Sequence, residues 1–379
     1  MNPKPLKIGI DARMFSDAFT GIGRYNFELT KRLFTETNFK GQPLEWVIFL
    51  NDPQFSDFTF PDHVKKVLVN AGHYSFAEQV KFWWLLQKEG CDLVHFSHFN
   101  LPLLYSRSFV VTIHDTTISF YPGKKMNAWW RKIAYKLVIR HAVKASKQII
   151  TVSEHTKKDV IKLFRTNAQK INAIHIAPSP EFKVIEPSLV EAVQIKYDLS
   201  KNFILYTGNW REHKNLVGLV QAFSNLKSQP AFKDLQLVIT GKEDPHYPEV
   251  KATIENLNLQ DSIKLVGLVP IEDLIALFNA AQIYVCPSFY EGFGLPPLEA
   301  MACGTPVAVS DAASIPEVCA EAAEYFDPHD IKDMTEVLKG LLLDSEKQAA
   351  LKAKGFVHIK NFNWDTTAER TLTVYRKAL

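Results

Sequence analysis

Cysteine is scarce in these 379 residues: Cys91, Cys286, Cys303 and Cys319 stand far apart, and no Cys-x-x-Cys pair occurs. That spacing offers no zinc or thiol-redox centre, and in their apolar or helical contexts most of these residues read as small core side chains. No apolar run approaches the roughly eighteen residues a membrane-spanning helix needs. A folding segment, Lys7-Ile-Gly-Ile-Asp11, comes almost at once with no secretory signal ahead of it, so a reducing cytoplasm is the expected location. Charge of one sign is missing as well. A formal net charge of +3 is too small to argue for nucleic acid, and no nucleic-acid partner is expected. There is also no Asp-x-Asp triplet of the sort that holds a divalent ion.

What is present is enough apolar material for two cores. Hydrophobic residues make up 46% of the chain, and its length exceeds the roughly 250–300 residues at which a single core stops growing. Short apolar runs alternate with amphipathic stretches, the pattern of parallel sheets covered on both faces. In the first half, strands are expected at 8–10, 46–50, 93–96, 109–113 and 149–152. In the second, they are expected at 203–206, 237–240, 263–266, 283–286 and 307–309. Between the halves, Ala177-Pro-Ser-Pro-Glu-Phe182 is proline-rich and lacks periodicity, which places the linker there. The expected division is 1–178, 179–361 and a last helix within 362–379.

The most informative stretch runs from Glu291 to Val307. The apolar run Ile283 to Cys286 ends at Pro287, and Gly292 and Gly294 then permit a tight turn with close backbone approach. Pro296 and Pro297 suit the first turn of a helix, and Gly304 stops that helix before the next strand. The amides at Gly294 and Leu295, with the positive end of the helix dipole, suit phosphate. A carboxylate beside a diphosphate would be repelled. Glu291 and Glu299, on either side of this loop, are therefore expected to accept hydrogen bonds from neutral hydroxyls.

Two glutamates eight positions apart around such a glycine loop resemble the signature of the retaining GT-B glycosyltransferases of family four. The resemblance extends over Tyr206 to Pro328. It includes Tyr206-Thr-Gly-Asn-Trp-Arg-Glu-His-Lys-Asn215, Val266-Gly-Leu-Val-Pro270, Pro287 to Gly294 and Ser314-Ile-Pro-Glu-Val318. The Gly208 to Asn215 segment is most similar to the branch containing mannosyltransferases of bacterial surface polysaccharides. The resemblance implies an α/β fold of two Rossmann-like domains whose parallel sheets face across a cleft, with the last helix returning to the first domain. It also implies transfer of a hexose, best mannose from GDP-mannose, to a hydroxyl of a glycan or lipid-linked acceptor, with no cofactor.

On that reading Gly208, Asn209, Gly292, Phe293, Gly294, Leu295 and Glu299 bind the donor, with Gly21 and Gly23 contributing amides from the first domain. Lys214 and Arg211 supply positive charge, although many family members carry arginine where Asn209 stands. His114 resembles a cleft histidine beside the donor sugar, either neutral against a hydroxyl or charged against the leaving phosphate. Asp115 orients His114 or meets the acceptor, and His98 or Asn100 lies on the acceptor side. His95 and His98, three apart, project to opposite faces of a strand and make a poor metal pair. Ser153 reads as a helix N-cap.

The family is usually assigned a front-face route, in which the leaving diphosphate takes the acceptor proton. A carboxylate nucleophile is the other way to retain configuration. A nucleotide-sugar epimerase and a non-catalytic sugar-nucleotide-binding subunit are the alternative functions. Finally, residues 124–136 combine cations with Trp129 and Trp130, and Phe82-Trp83-Trp84 adds aromatic surface. That composition suits peripheral contact with an anionic membrane.

Overall fold

The computed structural model describes residues 4–16, 21–72, 75–124 and 128–379. They form two compact units. The first gathers the chain up to Thr116, the stretch from Ala128 to Ile176, and Asn363–Leu379; the second gathers Thr117 to Lys124 and Ala177–Phe362. Residues 117–124 were expected in the first unit. They belong with the second because Tyr121 stacks on Phe289 at 6.4 Å, Phe120 lies 5.4 Å from Tyr290, and Lys124 pairs with Glu249 at 2.8 Å.

The first unit holds strands β1 (Leu6–Asp11), β2 (Asn38–Phe39), β3 (Gln42–Leu50), β4 (Val64–Leu68), β5 (Leu93–Phe96), β6 (Phe109–Ile113), β7 (Gln148–Thr151) and β8 (Ile171–Ala173). Its parallel strands follow the order β4-β3-β1-β5-β6-β7-β8, with β2 antiparallel on β3. The order reverses between β1 and β5. Helix Trp364–Ala378 belongs to this unit, packing on helix Gly21–Leu33 and on β6 and β7. Asn363 caps it by accepting from the Asp365 amide, and Thr367 Oγ1 donates to the His175 carbonyl at 2.8 Å.

The second unit holds β9 (Phe203–Thr207), β10 (Gln236–Thr240), β11 (Ile263–Gly267), β12 (Ile283–Cys286), β13 (Val307–Ser310) and β14 (Glu324–Phe326). Their order is β11-β10-β9-β12-β13-β14, all parallel. This is the doubly wound arrangement, whose strand order reverses between β9 and β12, and ligands bind beyond the carboxyl ends of strands at such a reversal. Apolar residues of β9, β10 and β12 pack against helices Leu216–Lys227 and Ile331–Leu343 in a fully buried core.

The ten expected strands are all present, so the α/β class with two parallel sheets stands. The strands that were not anticipated, β2, β4, β8 and β14, are short and lie at sheet edges. Edge strands carry polar residues that break the apolar signal, as Lys65 and Lys66 do in β4. All four cysteines are buried. Among the described residues no helix is long and apolar enough to cross a membrane.

Candidate active site

The second sheet builds its site from the segments that leave β9 and β12. After β9, Gly208 passes directly beneath Gly241, which has a φ of +117° and follows β10. A Cβ on Gly241 would lie 2.1 Å from the Gly208 carbonyl oxygen, so the two segments meet backbone to backbone. The chain then makes a single 3₁₀ turn, Glu212–Lys214, and Asn215, at φ +54°, opens helix Leu216–Lys227. Asn215 Nδ2 donates to the Pro328 carbonyl at 2.8 Å, which pins this corner.

From β12 the chain runs through Ser288 to Glu291. Ser310 Oγ donates to the Ser288 carbonyl at 2.7 Å; Ser314 Oγ lies 2.9 Å from the Glu291 carbonyl and 3.0 Å from that of Phe293. Gly294 caps helix Leu295–Ala302 at φ +95°, a left-handed conformation that favours glycine, and an added Cβ would press on the end of the Ile315 side chain at 2.6 Å. Pro296 and Pro297 carry no N–H, so the amides presented at this helix end are chiefly those of Gly294 and Leu295.

The two corners meet through side chains. Lys214 Nζ donates to Glu291 Oε1 at 2.6 Å and Oε2 at 2.7 Å, and Ser288 Oγ donates to Oε1 at 2.7 Å. The sequence reading gave Lys214 and Glu291 separate tasks. The fold makes them one unit, with side chains 23% and 14% exposed. Burial pushes the Glu291 carboxyl up, but the Lys214 charge, His213 and the hydrogen bonds from Lys214 and Ser288 outweigh it. Its pKa therefore sits below the usual carboxylate range. Glu299 lies half-buried on the helix. Arg211 and Asn209 are exposed on the turn beside Lys214.

Alongside lies a hollow of about 420 Å³, lined by Trp210, Gly241, Lys242, Leu265 and Leu268 among others. Leu268 is 66% exposed, an apolar wall beside two lysines, and the buried Trp210 indole N–H has no partner among the described residues.

In the first unit, His114 follows β6 half-buried, and its Nε2 lies 2.9 Å from the Ser97 carbonyl. A carbonyl can only accept, so Nε2 carries the proton. Burial lowers its pKa, against the opposing effects of the Ser97 carbonyl and Asp115, which favours the neutral ring over the imidazolium alternative. Gly21 and Gly23, expected to contribute amides, lie in the first turn of helix Gly21–Leu33, with Gly23 buried.

His98 Nδ1 accepts from the Asn100 amide at 3.2 Å. The Asn100 side chain turns inward and donates to both Glu78 oxygens at 2.7 Å, so it is a buried structural residue rather than an acceptor contact. Glu78 also takes Arg13 at 2.6 Å, and Arg13 pairs with Asp11 at 2.8 Å while lying over the Phe82 ring. Phe82 is accordingly core and not surface. Burial raises the Glu78 pKa despite Arg13. His95 spends both ring nitrogens at 2.7 Å, on Tyr375 and Thr112, and burial lowers its pKa to about 3.

Comparison with known proteins places the chain. Residues 191–357 match the family described as Glycosyl transferases group 1, and residues 45–177 match Glycosyltransferase Family 4. O-antigen chain mannosyltransferase B of Escherichia coli is 31% identical over 94% of this chain and 96% of its own length. The chain belongs to the group 1, family 4 glycosyltransferases. Serotype-specific mannosyltransferase WbdA of Escherichia coli is 32% identical over 61% of this glycosyltransferase, a span covering 29% of WbdA. A sucrose-phosphate synthase structure from Thermosynechococcus elongatus superposes with a TM-score of 0.79 at 20% identity, covering 98% of each chain. The fold is GT-B.

Sequence reasoning on this glycosyltransferase missed Ser288, Ser314 and the Trp210–Leu268 hollow. Ser288 and Ser314 both come just after a strand, the position where ligands gather in such sheets, and that was the available signal. His114 yields a test. His114→Asn is expected to lower turnover by about 10- to 100-fold, the cost of one lost hydrogen bond to the substrate. Because the ring pKa lies below the usual 6.5, wild-type activity should show no histidine-linked loss above neutrality. Loss should appear as pH falls through the lowered value. A kcat profile rising steeply above pH 7 would contradict the neutral role.

Proposed function

We propose that this glycosyltransferase moves a hexose, mannose from GDP-mannose by preference, to a hydroxyl of a glycan or lipid-linked acceptor. Configuration is retained through a front-face route without a metal ion. The observation that carries the reading is the Lys214–Glu291 pair. It is seated where the second sheet reverses its strand order, beside the N-terminal end of helix Leu295–Ala302. The mannose preference rests on the names of the relatives and on the Gly208 to Asn215 segment.

Each residue has a task that follows from its surroundings. Lys214 is preorganised by Glu291 and meets the diphosphate as charge moves onto it, joined by the Gly294 and Leu295 amides and by the exposed Arg211. Glu291 stays ionised and accepts from sugar hydroxyls, and Glu299 does the same for the ribose. A nucleophilic role for Glu291 would require it to shed Lys214 and Ser288 together, which favours the front-face route over a covalent intermediate. His114 accepts a hydrogen bond from a substrate hydroxyl at Nδ1. The hollow beside Trp210 takes the nucleobase against Leu265 and Leu268.

In the reaction, the C1–O bond to the diphosphate breaks as the acceptor oxygen bonds to C1 on the same face. The acceptor proton passes to the departing diphosphate, so atoms and charge balance without a protein base.

A nucleotide-sugar panel read by nucleoside diphosphate release, with product configuration followed by NMR, tests the reading. GDP-mannose is expected to give acceptor-dependent release and a retained anomer. An inverted product, or donor conversion without acceptor, would overturn it. Transfer is also expected to continue in excess chelator, because Lys214 and the amides carry the diphosphate charge. Complete loss that magnesium restores would remove the metal-free step.

A further inference from the structure

We infer that the first unit carries a docking face for an anionic phospholipid bilayer, formed by two helical segments on either side of the loop 97–104. Helix Trp129–Ala145 is apolar on two opposite sides. Tyr135, Val138, Ile139 and Ala142 face the core. On roughly the opposite side stand Trp129 (73% exposed), Trp130, Ile133 and Leu137. A surface helix ordinarily puts charge on that side.

The second segment, around residues 76–89, behaves in the same way. Glu78 and Phe82 are buried, while Phe76 (83% exposed), Val80 and Trp84 project outward. Both segments touch one loop. Trp83 Nε1 donates to the Leu104 carbonyl at 3.1 Å, the Leu103 amide donates to Gln79 at 2.9 Å, and Tyr135 packs edge-on against Phe99 at 5.5 Å. Leu104 itself is 73% exposed, which continues the apolar surface between the segments.

Charge selects the occupant. Helix Trp129–Ala145 contains no acidic residue, and its cations Arg131, Lys132, Lys136, Arg140 and Lys144 are all exposed. On the second segment Glu78 is buried against Arg13 and Glu89 pairs with Lys65, whereas Lys81 and Lys88 are exposed. Two indoles each lie under a cation, Trp130 under Arg131 at 5.0 Å and Trp84 under Lys88 at 5.2 Å. Exposed indoles with adjacent cations suit the headgroup level of a bilayer, where the ring is half immersed and the charge meets anionic lipid. Lys124, at the start of the stretch first singled out, is not part of this face because it pairs with Glu249 in the second unit. Lys125, Met126 and Asn127 lie outside the described residues.

The test is co-sedimentation of the full chain with vesicles of phosphatidylcholine alone or with about 30% phosphatidylglycerol. Wild type is expected to bind the anionic vesicles at least about tenfold more, and to lose most of that binding between about 0.1 and 0.5 M salt. The pair Trp129→Ser with Trp130→Ser should cut binding by about tenfold. Leu104→Ser should weaken it too, and neither change should shift the thermal melt, because the side chains are exposed. Equal binding to neutral vesicles, no binding, or binding unchanged by these substitutions would overturn the inference. So would self-association that the tryptophan pair abolishes, which would assign the face to a second copy of the chain.

Discussion

Lys214→Ala is expected to lower kcat/KM for the donor by about 10²–10³, the usual cost of removing a group that stabilises developing negative charge. The loss has two sources, and they can be separated. One is the missing cation at the diphosphate. The other is Glu291, which would be left largely buried without the partner it now holds through two contacts of 2.6 and 2.7 Å. Breaking a fully buried pair costs about 3–5 kcal/mol; partial exposure of both side chains here brings the expectation to about 1–3 kcal/mol.

Acid titration tells the two apart. Since the folded Glu291 pKa is lowered, the pair's stabilisation is fully present above the unfolded carboxyl value, about 4.3. It is lost as pH falls through the lower folded value. In Lys214→Ala the burial effect is no longer outweighed, and the carboxyl pKa should rise. The melting difference between wild type and variant is therefore expected to shrink as pH drops from 7 to about 4. The double variant Lys214→Met with Glu291→Gln completes the argument. It should recover much of the stability, because no buried charge is left alone, yet remain inactive. Recovery of transfer together with stability would reduce Lys214 to a counter-ion.

Gly241→Ala should have the largest effect on stability, about 3 kcal/mol or more, for a reason that lies in the backbone. Its φ of +117° is strained for any L side chain, and the added Cβ would lie 2.1 Å from the Gly208 oxygen and 2.6 Å from its carbonyl carbon. Neither atom belongs to a flexible side chain, so relief requires β9 and β10 to part just beyond their last paired residues, Thr207 and Thr240. For a unit of this size that corresponds to a fall in melting temperature of about 6–12 °C.

Gly267→Ala is the control. It too has a positive φ, +69°, but its Cβ would meet nothing within 4 Å, so only about 1 kcal/mol of backbone strain is expected. Similar melts for the two variants would show that the segments can separate. Because Gly208 adjoins the turn that carries Lys214, donor affinity should fall with Gly241→Ala even at temperatures where the chain remains folded.

Local signals carried much of this far. The apolar runs of the central strands, the prolines and glycine bracketing helix Leu295–Ala302, and the cap at Ser153, which accepts from the Thr156 amide, all lie within a few residues of their cause. Four short edge strands, β2, β4, β8 and β14, were not legible, because a strand hydrogen-bonded on one side does not need an apolar run; β11, also at an edge, was legible because Ile263, Leu265 and Val266 supply one. Asn100 was placed on the acceptor side; its side chain instead turns inward to Glu78, 22 residues away, while its carbonyl accepts from Arg13, 87 residues away.

By itself, then, the sequence determined the α/β class, the glycine loop between two glutamates and the residue types able to hold phosphate and hydroxyls. Tertiary structure alone decided that Lys214 and Glu291, 77 residues apart, form one pair. That contact exists because β9 and β12 are neighbours in register, Ile204 beside Ile283, and each releases its following segment at the same end of the sheet. Periodicity along a chain records which face of an element is buried. It does not record which element lies next to it, and the pairing of charges across β9 and β12 depends on that adjacency.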